Sequence, residues 1–128
     1  MNFIDVSSAL NEIDKLEITA QTTSEDAGAA MKMLARFNQC AMGLVCFCGS
    51  TPWERHPDDE LLQILTGSVQ ITMLDRDKTS EITVSAGSIL IVPQGIWHKQ
   101  HSPAGVKLLF LTSQSGNEHS EAVDPRAS

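Results

Sequence analysis

A chain of 128 residues has the size of one domain and is long enough to bury a core. With 41% hydrophobic and 20% charged residues it reads as globular, not disordered, and a formal net charge of −7 disfavours both a nucleic-acid surface and an anionic membrane surface. No apolar run approaches the ~20 residues needed to span a bilayer, and the opening Met-Asn-Phe-Ile-Asp-Val has neither a basic region nor an apolar signal core, so the expected location is the cytoplasm.

Apolar side chains at Phe3, Val6, Leu10 and Ile13 predict a short helix or arm over residues 3–13, capped by Ser7 or Ser8. Residues 15–20 read as a first strand, and the small, polar Thr22–Gly28 as a loop. Residues 30–37 and 42–49 are apolar runs parted by Asn38-Gln39. A helix over 25–37 competes, because Ala, Met and Leu favour one, but the short spacing and the break at Gly43 argue for a strand pair. Cys40, Cys46 and Cys48 are odd in number and come without a signal peptide, so no disulfide framework is expected. On a strand Cys46 and Cys48 share a face; small buried residues explain them better than a thiolate pair, since zinc ribbons usually space their cysteines C-x2-C.

Strand signals continue at 60–66 and 68–74, parted at Gly67, with Val69, Ile71 and Met73 alternating with Gln70 and Thr72. Asp75-Arg76-Asp77-Lys78 reads as a charged hairpin turn. Strands at 80–85, 88–92, 97–101 and 105–112 follow, separated by Ala86-Gly87, Pro93-Gln94-Gly95 and Pro103-Ala104-Gly105. Many short strands with turn residues between them predict an all-β sandwich or barrel. The organisation expected is an N-terminal arm over 1–29, a barrel over 30–112 and a flexible tail over 113–128, the tail being polar and without periodicity.

Two stretches concentrate the chemistry. Trp53 to Gly67 holds His56 and Glu60, and Gly87 to Ser102 holds His98. Two imidazoles and one carboxylate are the ligand set of a facial triad on a divalent metal. The competing reading makes His56 a surface residue among Arg55, Asp58 and Asp59. His101, three residues beyond His98, faces away on a regular strand, and His119 lies in the expected tail, outside the site. Trp53 and Trp97 neighbour site positions, and alternation turns both away, towards core or dimer packing.

These stretches resemble the two motifs of the small single-domain cupins, which are jelly-roll barrels. The first family motif is G-x5-H-x-H-x3/4-E-x6-G, and here the chain reads Glu54-x-His56-x3-Glu60-x6-Gly67. The second is G-x5-P-x-G-x2-H-x3-N, and here the chain reads Gly87-x5-Pro93-x-Gly95-x2-His98-x3-Ser102. The chain departs from the pattern at Glu54, where the first histidine is expected, at Gly49, one residue too close, and at Ser102 in place of the final Asn. The resemblance implies a double-stranded β-helix, with His56, Glu60 and His98 as metal ligands and position 54 supplying a fourth. Glu54 and His56 stand at i, i+2, so an extended segment points both to one face, while Arg55 and Lys99 offer Glu54 alternative ion pairs. Leu62, Ile64, Val69 and Ile71 offer the apolar wall of a ligand pocket.

Two function classes follow. In one, the protein is a metal-dependent enzyme of dioxygenase, isomerase or decarboxylase type acting on a small molecule, with a divalent ion (Fe, Mn, Zn or Ni) and with Glu54 as ligand or catalytic general base. In the other, it is a small-molecule binding or sensor module with a structural metal or none. No tyrosine is present, which sets aside the Cys–Tyr crosslink of some thiol dioxygenases. A homodimer is expected, because Met31, Met33, Leu34, Phe37, Leu44 and Phe47 exceed what a minimal barrel requires.

Overall fold

The computed structural model describes residues 3–126. Helix α1 (Val6–Leu10) is capped by Asp5, not by Ser7 or Ser8: Asp5 is the last extended residue before the turn, and its carboxylate accepts from the Ser8 amide at 3.1 Å. Strand β1 (Leu16–Glu17) is shorter than expected and runs parallel to β3 (Cys40–Ser50). The stretch read as a loop contains helix α2 (Ser24–Ala29). Thr23 and Asp26 close it reciprocally: the Asp26 amide donates to Thr23 Oγ1 at 3.1 Å and the Thr23 amide to Asp26 Oδ2 at 3.0 Å. This capping box explains why so polar a stretch is helical.

From residue 31 the chain is β-structure. Strand β2 (Met31–Phe37) pairs with β3 across Asn38-Gln39, as the strand-pair reading expects. Then come β4 (Trp53–Arg55), β5 (Glu60–Asp75), β6 (Lys78–Ser85), β7 (Ile89–Val92), β8 (Trp97–Ser113) and β9 (Glu118–Ser120). The charged turn at Arg76-Asp77 joins β5 to β6, with Asp75 opposite Lys78.

At two places where breaks are expected, the strands run on. Strand β5 passes through Gly67, and β8 passes through Pro103-Ala104-Gly105. The halves of β5 take different partners, Glu60–Gln63 pairing with β7 and residues 68–75 with β6. The pairing of β5 with β8 shifts register between Ile64 and Thr66 and again between Gly67 and Gln70. Buried positions are accordingly 60, 62 and 64 before the shift and 69 and 71 after it. Gly67 makes this possible: its φ is +78°, and a Cβ there would collide with the Gly105 carbonyl oxygen.

The result is an all-β jelly-roll barrel with a helical N-terminal arm. Its core is Phe47, Leu62, Ile64, Val69, Ile71, Val84, Val92, Val106 and Leu108. Burying each such side chain contributes about 1.5–3 kcal/mol. Trp53, Trp97 and Leu74 form a separate cluster, with Arg55 stacked over Trp97 and Lys99 over Trp53. Cys40 and Cys46 are buried and Cys48 half-buried, all three as free thiols. Of the side chains expected to serve a dimer, Leu44 and Phe47 are in the interior, whereas Met31, Met33 and Phe37 are exposed on β2. No helix among the described residues is long and apolar enough to cross a membrane.

Candidate metal centre

Backbone pairing assembles the site. Glu54 of β4 lies opposite His98 of β8, His56 sits just past the end of β4, and Glu60 opens β5. The donor atoms of Glu54, His56 and His98 all lie within 4.8 Å of one another. Glu60 joins them: its Oε1 is 3.1 Å from His98 Nε2 and its Oε2 is 3.5 Å from His56 Nε2. Glu54 Oε2 is 3.7 Å from His56 Nε2, and the two imidazole rings stand 5.2 Å apart. His56, Glu60 and His98 are buried, which rules out the surface reading of His56.

A second layer orients these groups. The Asn117 amide nitrogen donates to the Ser113 carbonyl at 2.8 Å, which leaves Asn117 Oδ1 to face His56 Nδ1 at 2.8 Å. His56 Nδ1 therefore carries the proton and donates it. His98 Nδ1 faces the Ile96 carbonyl at 3.2 Å and is assigned the same way. Thr112 donates its hydroxyl to Glu60 Oε2. With both Nδ1 protons committed, neutral imidazoles turn their Nε2 lone pairs towards carboxylate oxygens. His56 Nε2 is buried and makes no hydrogen bond. Lone pairs facing carboxylates at these distances need a cation between them, either a second proton on the imidazoles or a metal ion. The donor set thus fits a divalent cation, each histidine being held through its far nitrogen as metal-ligating histidines are.

Charge follows the same geometry. Burial pushes the Glu60 carboxyl up, but the close imidazoles of His56 and His98 more than offset it and bring the pKa to about 2. Burial pushes His56 down, and Glu60, Asn117 and Glu54 together raise it above the ordinary histidine value. The neighbouring Glu54 carboxylate raises His119 too.

The family model for the cupin domain matches residues 48–112, which is the stretch containing this cluster. The chain belongs to the cupin family. Among solved structures it is similar to a cupin-2 domain-containing protein from Shewanella frigidimarina, at 28% identity and a TM-score of 0.56, over 66% of this chain and 79% of that one. A protein from Neisseria meningitidis matches at 19% identity and a TM-score of 0.68, over 88% and 100%. Hydroquinone 1,2-dioxygenase from Sphingomonas, solved with 4-hydroxybenzoate bound, matches at 12% identity and a TM-score of 0.58, over 68% and 66%. The last two likenesses show the fold alone. No curated protein matches the chain.

The C-terminal stretch of this cupin corrects the sequence reading. Read as a tail outside the site, it contains β9, which pairs with β4 and sets His119 opposite Glu54, with His119 Nε2 3.6 Å from Glu54 Oε1. Asn117, unremarked in the sequence, is the partner of His56. Only a polar stretch following the last predicted strand hinted at either residue. Glu54 makes neither of the ion pairs considered for it: Arg55 pairs with Glu118 at 2.9 Å, and Lys99 stacks on Trp53. His101 is exposed and hydrogen-bonded to Ser50 at 2.6 Å, away from the cluster. The cluster opens into a cavity of about 1250 Å³. Of the four wall residues expected, Leu62 lines it, alongside Phe47, Leu108 and Phe110, while Ile64, Val69 and Ile71 pack the core.

Proposed function

We propose that this cupin binds one divalent cation through His56, Glu60 and His98, with Glu54 as a fourth donor or a general base, and uses it to hold a small oxygen-bearing molecule in the cavity. One observation carries the reading: both Nδ1 protons are engaged, leaving His56 Nε2 buried without a partner and aimed at carboxylates. Two imidazoles with two carboxylates suit Fe(II), Mn, Zn or Ni. When bound, such an ion supplies Lewis acidity towards a substrate oxygen, which serves dioxygenase, isomerase and decarboxylase chemistry alike. The residues of the chain do the rest. Asn117 and the Ile96 carbonyl fix the imidazoles, Thr112 and burial fix Glu60, and Glu54, a quarter exposed at its side chain, faces the cavity as a candidate proton acceptor. The test is elemental analysis of protein purified without chelator or affinity-tag nickel, with His56→Ala and His98→Ala alongside. We expect close to one ion per chain, lost in both folded variants; full metal in both overturns the assignment. In a chelator competition, Glu54→Ala weakens the metal if Glu54 is a ligand and leaves it unchanged if Glu54 is the base.

The size of the cavity and its apolar lining favour a second reading, a binding or sensor module in which any metal is structural. Ligand binding that survives chelation selects it, and turnover requiring metal selects the first. Three free thiols fit a reducing compartment such as the cytoplasm. The exposed Met31, Met33 and Phe37 sit on β2, which pairs with β3 alone, and they support a homodimer that covers this edge. Light scattering at micromolar concentration should give twice the chain mass, and a monomer there counts against it.

A further inference from the structure

Strand β8 carries a second inward-facing polar group beyond the histidine. Gln100 stands two residues after His98, so alternation gives both the same face and places them about 7 Å apart along the strand. Gln100 is 9% exposed and lines the cavity. Its backbone is fully used, the amide donating to Thr51 Oγ1 at 3.0 Å and the carbonyl accepting from the Thr51 amide at 2.9 Å. Its side-chain Oε1 is buried and has no hydrogen-bond partner. Buried amide oxygens are almost always paired, and an unpaired one in a side chain that borders a cavity leaves an acceptor for a bound ligand to satisfy.

Charge narrows what enters. The ionisable residues lining the cavity are Glu54, His56, Glu60, His119 and Glu121, and among the described residues no lysine or arginine joins them. Phosphate esters need cationic side chains or a cradle of amides to hold them, and the only basic side chains lining this cavity among the described residues are His56 and His119, each beside a carboxylate. Leu62, Leu108, Phe47 and Phe110 give the same cavity much of its apolar lining.

We propose that Gln100 is the specificity-determining residue of the site, and that the ligand is a small molecule with an apolar body and an uncharged hydrogen-bond donor, a carboxamide or hydroxyl, directed at the Gln100 amide. This deepens the proposed function and rests on its view of the cavity as the ligand site. It makes phosphorylated and other polyanionic molecules poor ligands.

The experiment titrates metal-free, 15N-labelled protein with benzamide, toluene and phenyl phosphate, following the Gln100 side-chain amide resonance, which is identified by its disappearance in Gln100→Leu. Benzamide should shift that resonance saturably and phenyl phosphate should not. Gln100→Leu should weaken benzamide about tenfold, the worth of one hydrogen bond, and leave toluene unchanged. Gln100→Asn, which keeps the amide but withdraws it by one methylene, should fall between and guards against a folding defect in the leucine variant. Benzamide that leaves the resonance unmoved, or binds Gln100→Leu as tightly as wild type, overturns the inference, as does saturable binding of phenyl phosphate. Metal content is measured separately, on protein purified without chelator. Failed benzamide discrimination in a protein that carries metal as purified sinks this inference alone, and intact discrimination in a protein that carries none as purified sinks the metal reading alone.

Discussion

The two halves of strand β8 face the same interior and do opposite things. Residues 98, 100 and 102 point inward as His98, Gln100 and Ser102, while 106 and 108 point inward as Val106 and Leu108. Strand β5 also passes from polar to apolar, from Glu60 to Leu62, Ile64, Val69 and Ile71, but it runs antiparallel, so its polar end lies by the apolar end of β8 and its Ile71 lies opposite Gln100. Both halves pair with β5, but β3 runs continuously beside the apolar half only and β4 joins at His98. The apolar half stabilises the barrel by leaving water. The polar half costs desolvation, which internal partners offset except at the Gln100 side-chain oxygen: Ser102 donates to the Ser68 carbonyl at 2.6 Å, and Glu60 accepts from Thr112 and faces His98. Stability and chemistry are thereby separated within each strand, but not across the pair.

Mutations that strike one half should leave the other readable. The largest effect is expected from Leu62→Ala in the apolar half. Leu62 is fully buried in the main core, and its truncation should cost about 3 kcal/mol, read by denaturant unfolding. Metal content per folded chain should stay at the wild-type level, since Leu62 supplies no donor atom. A loss of metal equal to that of His98→Ala would show that the halves are coupled after all.

The pH dependence of the metal-free protein comes next and belongs to the polar half. Glu60 titrates from about 2 in the folded chain against 4.5 ordinarily, so its contribution is complete above pH 4.5 and is lost as pH falls towards 2. His56 is raised above 6.5, so its contribution is complete below pH 6.5 and is lost as pH climbs past its raised value. Metal-free protein should therefore be most stable between pH 4.5 and 6.5. Glu60→Gln should flatten the acid side of a plot of unfolding midpoint against pH, and an unaltered acid limb in that variant would contradict the assignment. Saturating metal should remove the decline above pH 6.5, because ligation requires neutral His56.

Asn117→Ala is expected to have the smallest effect, and it isolates the layer behind the donors. Its amide touches His56 only at Nδ1, so the variant should fold normally and lose about 10- to 100-fold in metal affinity. Unchanged affinity would mean that β4 and β5 alone hold the imidazole.

Much of the barrel and of the donor cluster is legible in the sequence, for reasons that are local. The spacing of Glu54, His56 and Glu60 and the placement of His98 after Gly95 lie within short segments where alternation and turn chemistry act directly. The charged turn at residues 75–78 is equally plain. The failures mark where distant pairing overrides local signals. Gly67 and Pro103-Ala104-Gly105 look like breaks, yet both strands continue through them because pairing resumes on the far side of a register shift in each neighbouring ladder. The polar stretch from Thr22 looks unstructured by composition, yet the reciprocal caps of Thr23 and Asp26 make it helical.

What the sequence by itself determined about this protein is the barrel, its two motif segments and the donors those segments carry, because each depends on residues a few positions apart. Only the tertiary structure decided that Asn117 and His119 reach back more than sixty residues to His56 and Glu54, and that Gln100, bordering the cavity, keeps a buried oxygen unpaired. Those facts rest on strand β9 finding β4 and on which buried groups find partners. Neither leaves a periodic or spacing signal, because the free energy that selects them arises from contacts between parts of the chain far apart in sequence.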